Sequence, residues 1–537
     1  FCYHEDLPVD ANCRACLVED ASTKQVSTSC TLPVSSGLTL LSEQSSRVKR
    51  LRKINMELLL AGHQEHCPRC CAQLDCATAE QMRKYGVSGE RFKRDGQAVS
   101  ALHQLGNAVE FDPQICIACN KCVEACEEMG IGYLALSGKG YKTRIDYIKD
   151  AQIACIYCGQ CTAHCPVAAI REQSHLSDVE KVLKDKTKVV IVQTAPAVRA
   201  SIGEEFNMPH GENLMAKLST AYRLLGFDKV FDVNMGADIT TIVEAQELVD
   251  RIRNNGILPM FTSCCPGWVK YVEFYHPELI ENLTTSRSPQ IHSGLAYKSW
   301  WAEKNGLEAK DIVVVSTMPC TAKKDEAANQ SLNLDGLKGV DYVLTTRELV
   351  SLIKKNNIDL ANLPASEIDK YAEHSGAAAI YGASGGVMES ALRSAHDLIT
   401  GGDLQQIEFT AVRGMQGIKK AQIRIEDLTL KVAVVSTMQS VQTILKELQE
   451  DPHAYDYIEV MSCSGGCVGG GGQPIPSTKA LIKARAKDLY SLDSQKKVRK
   501  AHQNPVVLEY FNYLKGLPCN QRRQLLHRAY NKSNKNE

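Results

Sequence analysis

The run Tyr457-Ile-Glu-Val-Met-Ser-Cys-Ser-Gly-Gly-Cys-Val-Gly-Gly-Gly-Gly-Gln-Pro474 sets how this chain folds. It begins as a short apolar strand and breaks at once into a loop with two cysteines and four consecutive glycines. Two other strand-like runs, Pro259–Ser263 and Asp311–Ser316, also lead into cysteine-bearing segments, Thr262-Ser-Cys-Cys-Pro-Gly-Trp268 and Met318-Pro-Cys-Thr-Ala-Lys-Lys-Asp-Glu326. Further strand signals fall at Lys188–Gln193, Asp341–Thr345 and Lys431–Ser436. Amphipathic stretches at Glu212–Leu225, Thr240–Asn255, Arg347–Lys355 and Val441–Gln449 alternate with them. Short apolar strands alternating with helices predict an α/β domain with parallel sheets covered on both faces. In such folds ligands bind where loops leave the carboxyl ends of strands. An active site is therefore expected at the three cysteine-bearing segments.

The 537 residues are enough for three or four domains. The formal net charge is zero, which removes the footprint of a nucleic-acid binder or a polybasic membrane-surface protein. No apolar stretch approaches the roughly 18 residues of a membrane-spanning helix. Of 22 cysteines, 16 precede residue 170 and most sit in tight runs. Bridges between cysteines so close in sequence are geometrically poor, and a disulfide scaffold is normally short, so metal ligation is the better reading. The basic run Arg47–Lys53 lies in a helical pattern and reads as a solvated helix face.

Cys116, Cys119, Cys122 and Cys126 spell C-x2-C-x2-C-x3-C, and Cys155, Cys158, Cys161 and Cys165 repeat it, with Pro166 following. Zinc ribbons use well-separated pairs rather than dense quartets. In the iron–sulfur reading three close thiolates hold one cube and the fourth reaches the other. One ligand set is then Cys116, Cys119, Cys122 and Cys165, and the second is Cys155, Cys158, Cys161 and Cys126. This resembles a bacterial two-cluster ferredoxin. Upstream, His63, Cys67, Cys70 and Cys76 make H-x3-C-x2-C-x5-C, with His66 competing for the imidazole position and Cys71 outside the pattern. That spacing is similar to the cubane site of one histidine and three cysteines found in hydrogenases and in the large iron–sulfur subunit of respiratory NADH dehydrogenases. Cys2, Cys13, Cys16 and Cys30 are similar to a plant-type [2Fe–2S] set, although the first gap is longer than usual. The hairpin that opens such a domain is expected to precede Phe1.

The three C-terminal motifs resemble the signatures of [FeFe]-hydrogenases, and the resemblance spans essentially the whole chain, including the closing segment around Asn504–Asn531. It implies an α/β catalytic domain of two lobes, preceded by small α+β ferredoxin-like domains. The expected boundaries are 1–45 for the [2Fe–2S] domain, 46–105 for the histidine-ligated cluster, 106–180 for the two-cluster domain, 181–500 for the catalytic domain and 501–537 for a small-subunit-like segment. The expected cofactors are three accessory [4Fe–4S] clusters, one [2Fe–2S] cluster and a six-iron H-cluster. By resemblance, Cys265, Cys320, Cys463 and Cys467 hold the H-cluster cubane. Cys467 also bridges to a two-iron unit carrying CO, cyanide and a dithiolate. The run Gly469–Gly472 fits close backbone approach to that cofactor. A phosphate loop is the competing reading, but no Walker lysine or strand-to-helix G-x-G-x-x-G setting accompanies the glycines.

Adjacent Cys264 and Cys265 cannot easily serve one metal corner, because neighbouring side chains diverge. The resemblance makes Cys264 the free thiol that passes protons, with Glu244, Thr284 and Glu247 behind it and Arg251 a turn further on. An ordinary charged helix face is the bland alternative for the glutamates. Lys323 is the implied donor to a cyanide, with Lys324 the alternative by one register. Ala195, Pro196, Ala197, Phe261, Gln290, Met318 and Met461 are expected to line the cavity. Ala197 stands where the family often has a serine donor, Thr284 where it commonly has a serine, and Tyr381 and Ser464 where Phe and Pro are frequent. Cys519 has no assigned role beyond a packed or solvent-side thiol. The implied reaction is reversible reduction of protons to H₂, with ferredoxin or another electron carrier as partner and dedicated maturation machinery for the two-iron unit. Other possibilities are a subunit of a larger bifurcating or CO₂-reducing complex, an H₂ sensor, or a non-catalytic iron–sulfur assembly protein. A cytoplasmic location is expected, with a hydrogenosome as the alternative.

Overall fold

A computed structural model describes residues 1–61, 77–87, 91–92, 102–139, 143–150, 152–210, 214–404 and 407–530. His63, His66, Cys67, Cys70, Cys71 and Cys76 lie outside the described residues. The chain forms two compact units: Phe1–Leu105, Val109–Ile153 and Gln160–Glu172 make the first, and Gly106–Ala108, Ala154–Gly159 and Gln173–Glu537 the second.

In the first unit, strand Leu17–Asp20 pairs antiparallel with both Val26–Thr28 and Leu40–Leu41. Helix Ser46–Leu60 follows, capped by Ser45, whose hydroxyl accepts from Val48 N at 3.2 Å. Arg47, Lys49, Arg50 and Lys53 are solvated as expected. Arg52 is the correction. It turns inward, donates from Nε to Leu17 O at 2.9 Å and pairs with Glu43 at 2.8 Å. Its guanidinium satisfies the Leu17 strand carbonyl, which the apolar helix face cannot reach. A second antiparallel sheet joins His103–Leu105, Val109–Phe111 and Ile170–Glu172. Helices Lys121–Glu128 and Gln160–Ala163 follow the cysteine loops beside it.

The second unit holds two four-stranded sheets. The first runs Lys229–Asp232, Val189–Thr194, Ile312–Met318, Tyr342–Thr345, all parallel. The second runs Met260–Phe261, Tyr457–Met461, Leu428–Ser436, Ile418–Ile425. Here the last strand pairs antiparallel, a departure from the all-parallel expectation. Its sequence, Ile-Lys-Lys-Ala-Gln-Ile-Arg-Ile, is too charged for a strand covered on both faces but suits an edge. Central strands Val189–Thr194 and Tyr457–Met461 are buried along almost their whole length, which is why Val and Ile dominate them.

The 20-residue helix Asn234–Arg253 starts well before the predicted Thr240. Its first half is buried on nearly every side, so no amphipathic pattern marks its start. Helices Lys479–Gln495, Pro505–Lys515 and Cys519–Leu526 close the chain. Asn504 ties this segment back, accepting from Val506 N at 3.0 Å and donating to buried Asp238 at 2.9 Å.

Candidate active site

All three motifs leave the carboxyl ends of strands, as expected: Met260–Phe261, Ile312–Met318 and Tyr457–Met461. Cys265 precedes helix Pro266–Tyr275, where Pro266 occupies the first turn and needs no hydrogen-bond acceptor. Trp268 Nε1 donates to Thr262 O at 3.1 Å and Thr262 Oγ1 accepts from Val460 N at 3.0 Å, locking the first motif to the third. Gly465 and Gly466 have φ of 72° and 93°, and the left-handed turn they allow brings Cys463 and Cys467 back toward one point.

A cavity opens among these loops. Cys265, Cys320, Cys463 and Cys467 line it together, with Cys264 and Lys323. Ala195, Pro196, Ala197, Gln290, Met318 and Met461 border it as the sequence indicated. Phe261 does not. Its ring packs against Trp268, with centroids 5.4 Å apart, behind the strand end. Asn234, Ala237 and Cys158 border the cavity without having been expected there. Asn234 and Ala237 sit on the unpredicted start of their helix, and Cys158 belongs to a motif with a different assigned role.

The glycine run is also corrected. A Cβ on Gly469 would stand 2.3 Å from Ser464 O, on Gly470 2.2 Å from Pro319 O, and on Gly471 2.4 Å from Cys158 O. Only Gly470 among the four reaches the cavity. Protein backbone closes the space at Gly469, Gly470 and Gly471, and the Thr345 side chain closes it at Gly472, so close packing within the protein already requires glycine there.

Burial raises the thiol pKa of Cys320 to about 12 and pushes Cys463 and Cys467 up, with neighbouring thiols adding to the effect. Thiols raised in this way hold their protons until a cationic cluster displaces them. Cys264 is also raised by burial, with Glu244 the next contribution.

Lys323 Nζ donates to Cys264 O at 3.0 Å and pairs with Glu326 at 2.8 Å. Burial alone would discharge it, but Glu326 more than offsets that and holds it cationic. Glu326 also accepts from Ser288 at 2.9 Å and Gln290 at 2.6 Å. Lys324 points elsewhere, to Val343 O at 2.6 Å and Glu348 at 2.8 Å. Lys323 is therefore the cavity lysine. Tyr381 borders the cavity with its hydroxyl turned to Thr241 Oγ1 at 2.8 Å. Ala197 brings no side-chain donor.

The two glutamates differ sharply. Glu247 Oε2 accepts from Thr284 Oγ1 at 2.8 Å, Thr285 N at 2.9 Å and Thr285 Oγ1 at 2.9 Å. Its Oε1 accepts from Arg251 Nη2 at 2.6 Å. Glu244 is completely buried, and neither of its oxygens has a hydrogen-bond partner. Burial raises its pKa to about 8, helped by the charge of Glu247.

In the first unit, Cys2, Cys13, Cys16 and Cys30 converge: Cys13 N donates to Cys2 Sγ at 3.3 Å, and Cys16 and Cys30 sulfurs lie 3.4 Å apart. Cys119, Cys122 and Cys165 form a second group with Cys116, close enough that each thiolate would repel the others. Cys126 and Cys161 belong to the first unit, and Cys155 and Cys158 to the second. Cys519 is exposed.

The donor set fits an iron–sulfur cubane with a neighbouring cofactor. Four cysteines from three loops face a mostly apolar cavity, and buried Gln290 leaves its Oε1 unpartnered beside it. Such a site defines an iron–sulfur oxidoreductase. Sequence profiles agree: residues 188–471 match the C-terminal domain of the iron-only hydrogenase large subunit, 479–533 the iron hydrogenase small subunit, and 115–169 a 4Fe-4S dicluster domain. Iron hydrogenase 1 of Clostridium pasteurianum is 40% identical over 543 residues, covering 99% of this chain and 94% of that protein. The NADP-reducing hydrogenase subunit HndD of Solidesulfovibrio fructosivorans is 37% identical over 534 residues, covering 97% of this chain and 91% of its own length. Among solved structures, an apo variant of the [FeFe]-hydrogenase HydA1 from Chlamydomonas reinhardtii superposes with a TM-score of 0.59 at 37% identity, covering 67% of this chain and 99% of that one. The chain belongs to the iron-only hydrogenase family and is an oxidoreductase acting on H₂. Among the described residues no helix is long and apolar enough to cross a membrane.

Proposed function

We propose that Cys265, Cys320, Cys463 and Cys467 hold the H-cluster cubane, that Cys467 bridges to the two-iron unit, and that Cys264 is the last proton carrier before it. When bound, the two-iron unit supplies the centre at which two protons and two electrons combine as H₂. The protein's part is positioning, proton delivery and exclusion of water. The observation that carries this is the free, fully buried Cys264 thiol, placed beside the four-cysteine set and next to a buried carboxyl, Glu244. Lys323 offers a fixed cation to a small anionic ligand. The two sheets are read as two lobes that grip the cofactor between their strand ends.

Protons pass through Glu247, Thr284, Glu244 and Cys264, with Arg251 orienting Glu247. Thr284 gives its only proton to Glu247, so its hydroxyl must rotate to serve Glu244. Electrons enter through the N-terminal unit. The cysteines converging at Cys2, Cys13, Cys16 and Cys30 suit a [2Fe–2S] cluster, and Cys116, Cys119, Cys122 and Cys165 suit a cubane. The loops of these two sets touch, through Asn12 to Ala118 O at 3.0 Å and Lys121 to Pro8 O at 2.8 Å. Cys155, Cys158, Cys161 and Cys126 hold the next cubane, and His63, Cys67, Cys70 and Cys76 a third. A reduced ferredoxin is the electron donor, cytoplasm the location and maturation enzymes the source of the two-iron unit. Similarity to a hydrogenase subunit, HndD, supports a second reading in which this chain works inside a larger electron-transferring assembly.

Replacing Cys264 with alanine in matured, anaerobic enzyme tests the assignment. H₂ turnover should vanish while iron content and the cofactor's infrared bands persist. Wild-type turnover in that variant would refute it.

A further inference from the structure

The C-terminal segment lies along the loop that carries Thr284. Arg287 N donates to Leu526 O at 3.2 Å, Arg528 N to Thr285 O at 2.8 Å and the Tyr530 hydroxyl to Thr284 O at 2.7 Å. His292 is bonded to Leu526 O at 3.0 Å, and Arg287 Nε donates to Gln524 O at 2.8 Å. The segment is thus fixed over the outer end of the Glu247 site. From it, half-buried His527 places Nδ1 2.9 Å from Thr285 Oγ1.

Counting protons gives this contact a direction. Thr285 Oγ1 lies 2.9 Å from Glu247 Oε2, and a carboxylate can only accept, so the threonine's single proton points at Glu247. The threonine oxygen must therefore accept from His527, which fixes the proton on Nδ1. Donors then align from His527 Nδ1–H through Thr285 Oγ1–H to Glu247 Oε2. Arg251, on the other carboxylate oxygen, cannot feed this chain, because a guanidinium keeps its protons across the physiological range. Imidazole is the side chain that exchanges protons there.

We infer that His527, on the small-subunit-like segment, is a proton port that charges Glu247 through the Thr285 hydroxyl. The inference rests on the reading of Glu247 as the relay's outer carboxylate. In the step, a solvent proton adds to Nε2, the Nδ1–H bond breaks as Thr285 Oγ1 takes that proton, and the threonine's own proton moves to Glu247. The imidazole is left neutral with its proton on Nε2. The ring then swings to water, loses the Nε2 proton and takes one on Nδ1, and its return with re-rotation of the Thr285 hydroxyl restores the starting arrangement. No electrons move. The groups facing the ring are Glu247, Arg287 and Arg523. Burial lowers the His527 pKa, the two arginines push it further down and Glu247 opposes them, so the resting ring is neutral and ready to accept.

The test uses matured enzyme with His527→Asn, which keeps an amide donor for Thr285 but cannot titrate, and His527→Ala. H₂ evolution from a saturating artificial donor is followed from pH about 5 to about 9. A second readout, in resting enzyme, is the rate at which the infrared-detected S–H of Cys264 exchanges to deuterium. The expected result is a loss of roughly tenfold in both rates for either variant, with a flattened pH profile. Free imidazole should restore the alanine variant. Wild-type exchange and pH profile in His527→Asn, alongside a dead Glu247→Gln variant, would overturn the port and leave the relay standing. Undiminished turnover in Glu247→Gln would overturn the relay reading itself, and the port with it.

Discussion

Glu244 and Glu247 stand three residues apart on one helix, yet the protein treats them in opposite ways. Glu247 sits among hydroxyls, an amide and a guanidinium that satisfy both oxygens. Glu244 is fully buried with neither oxygen hydrogen-bonded. An unbonded buried carboxyl favours the protonated form. The inner group is thus built to retain a proton, while the outer one is held in a fixed position by its donors. The lesson is that spacing along a helix brings two acids to one face, while their surroundings give them different tasks.

The contrast can be broken from the inside outward. Cys264→Ala removes the thiol proposed as the last proton carrier and should lower turnover by roughly a thousandfold or more in H₂ evolution assays. Glu244→Gln should cost about a hundredfold or more, because the amide cannot carry a proton. It should also change stability with a definite sign. A folded pKa of about 8, against roughly 4.3 unfolded, means the native state binds more protons between those values. Wild-type stability therefore falls as pH rises through that window, and Glu244→Gln should lose this slope in urea unfolding midpoints compared at pH about 5.5 and about 8. Thr284→Val should fall by about a hundredfold, while Thr284→Ser stays within about twofold, since only the hydroxyl matters. Arg251→Ala leaves Glu247 its three hydrogen bonds from the threonines and should cost only about tenfold. An equal loss in Glu244→Gln and Arg251→Ala would erase the distinction between the two acids.

Much of this was legible in the sequence because metal ligation demands particular residues at fixed spacing. The three strand ends, the four cysteines and the adjacent free thiol all fall where the motifs put them. What escaped was set by packing. The start of helix Asn234–Arg253 is buried all round and carries no periodic signal, which hid Asn234 and Ala237 as cavity residues. Phe261 packs its ring on Trp268 instead of entering the cavity, a contact that no local pattern announces. Gly469–Gly472 read as a cofactor cradle, yet their nearest obstructions are protein atoms, backbone at the first three and the Thr345 side chain at Gly472. Spacing can state that a glycine is needed and cannot state what it makes room for. The pairing of the Thr284 loop with the C-terminal segment joins residues some 240 positions apart, as in Tyr530 to Thr284, and no local pattern encodes it.

The most direct measurement is an infrared spectrum of anaerobically purified protein before and after loading with a synthetic two-iron precursor. Sharp CO and cyanide bands should appear on loading, together with H₂ evolution, and Ala197→Ser should shift a cyanide band by restoring a donor. Protein with intact cubanes that gained no such bands would contradict the assignment of this cavity.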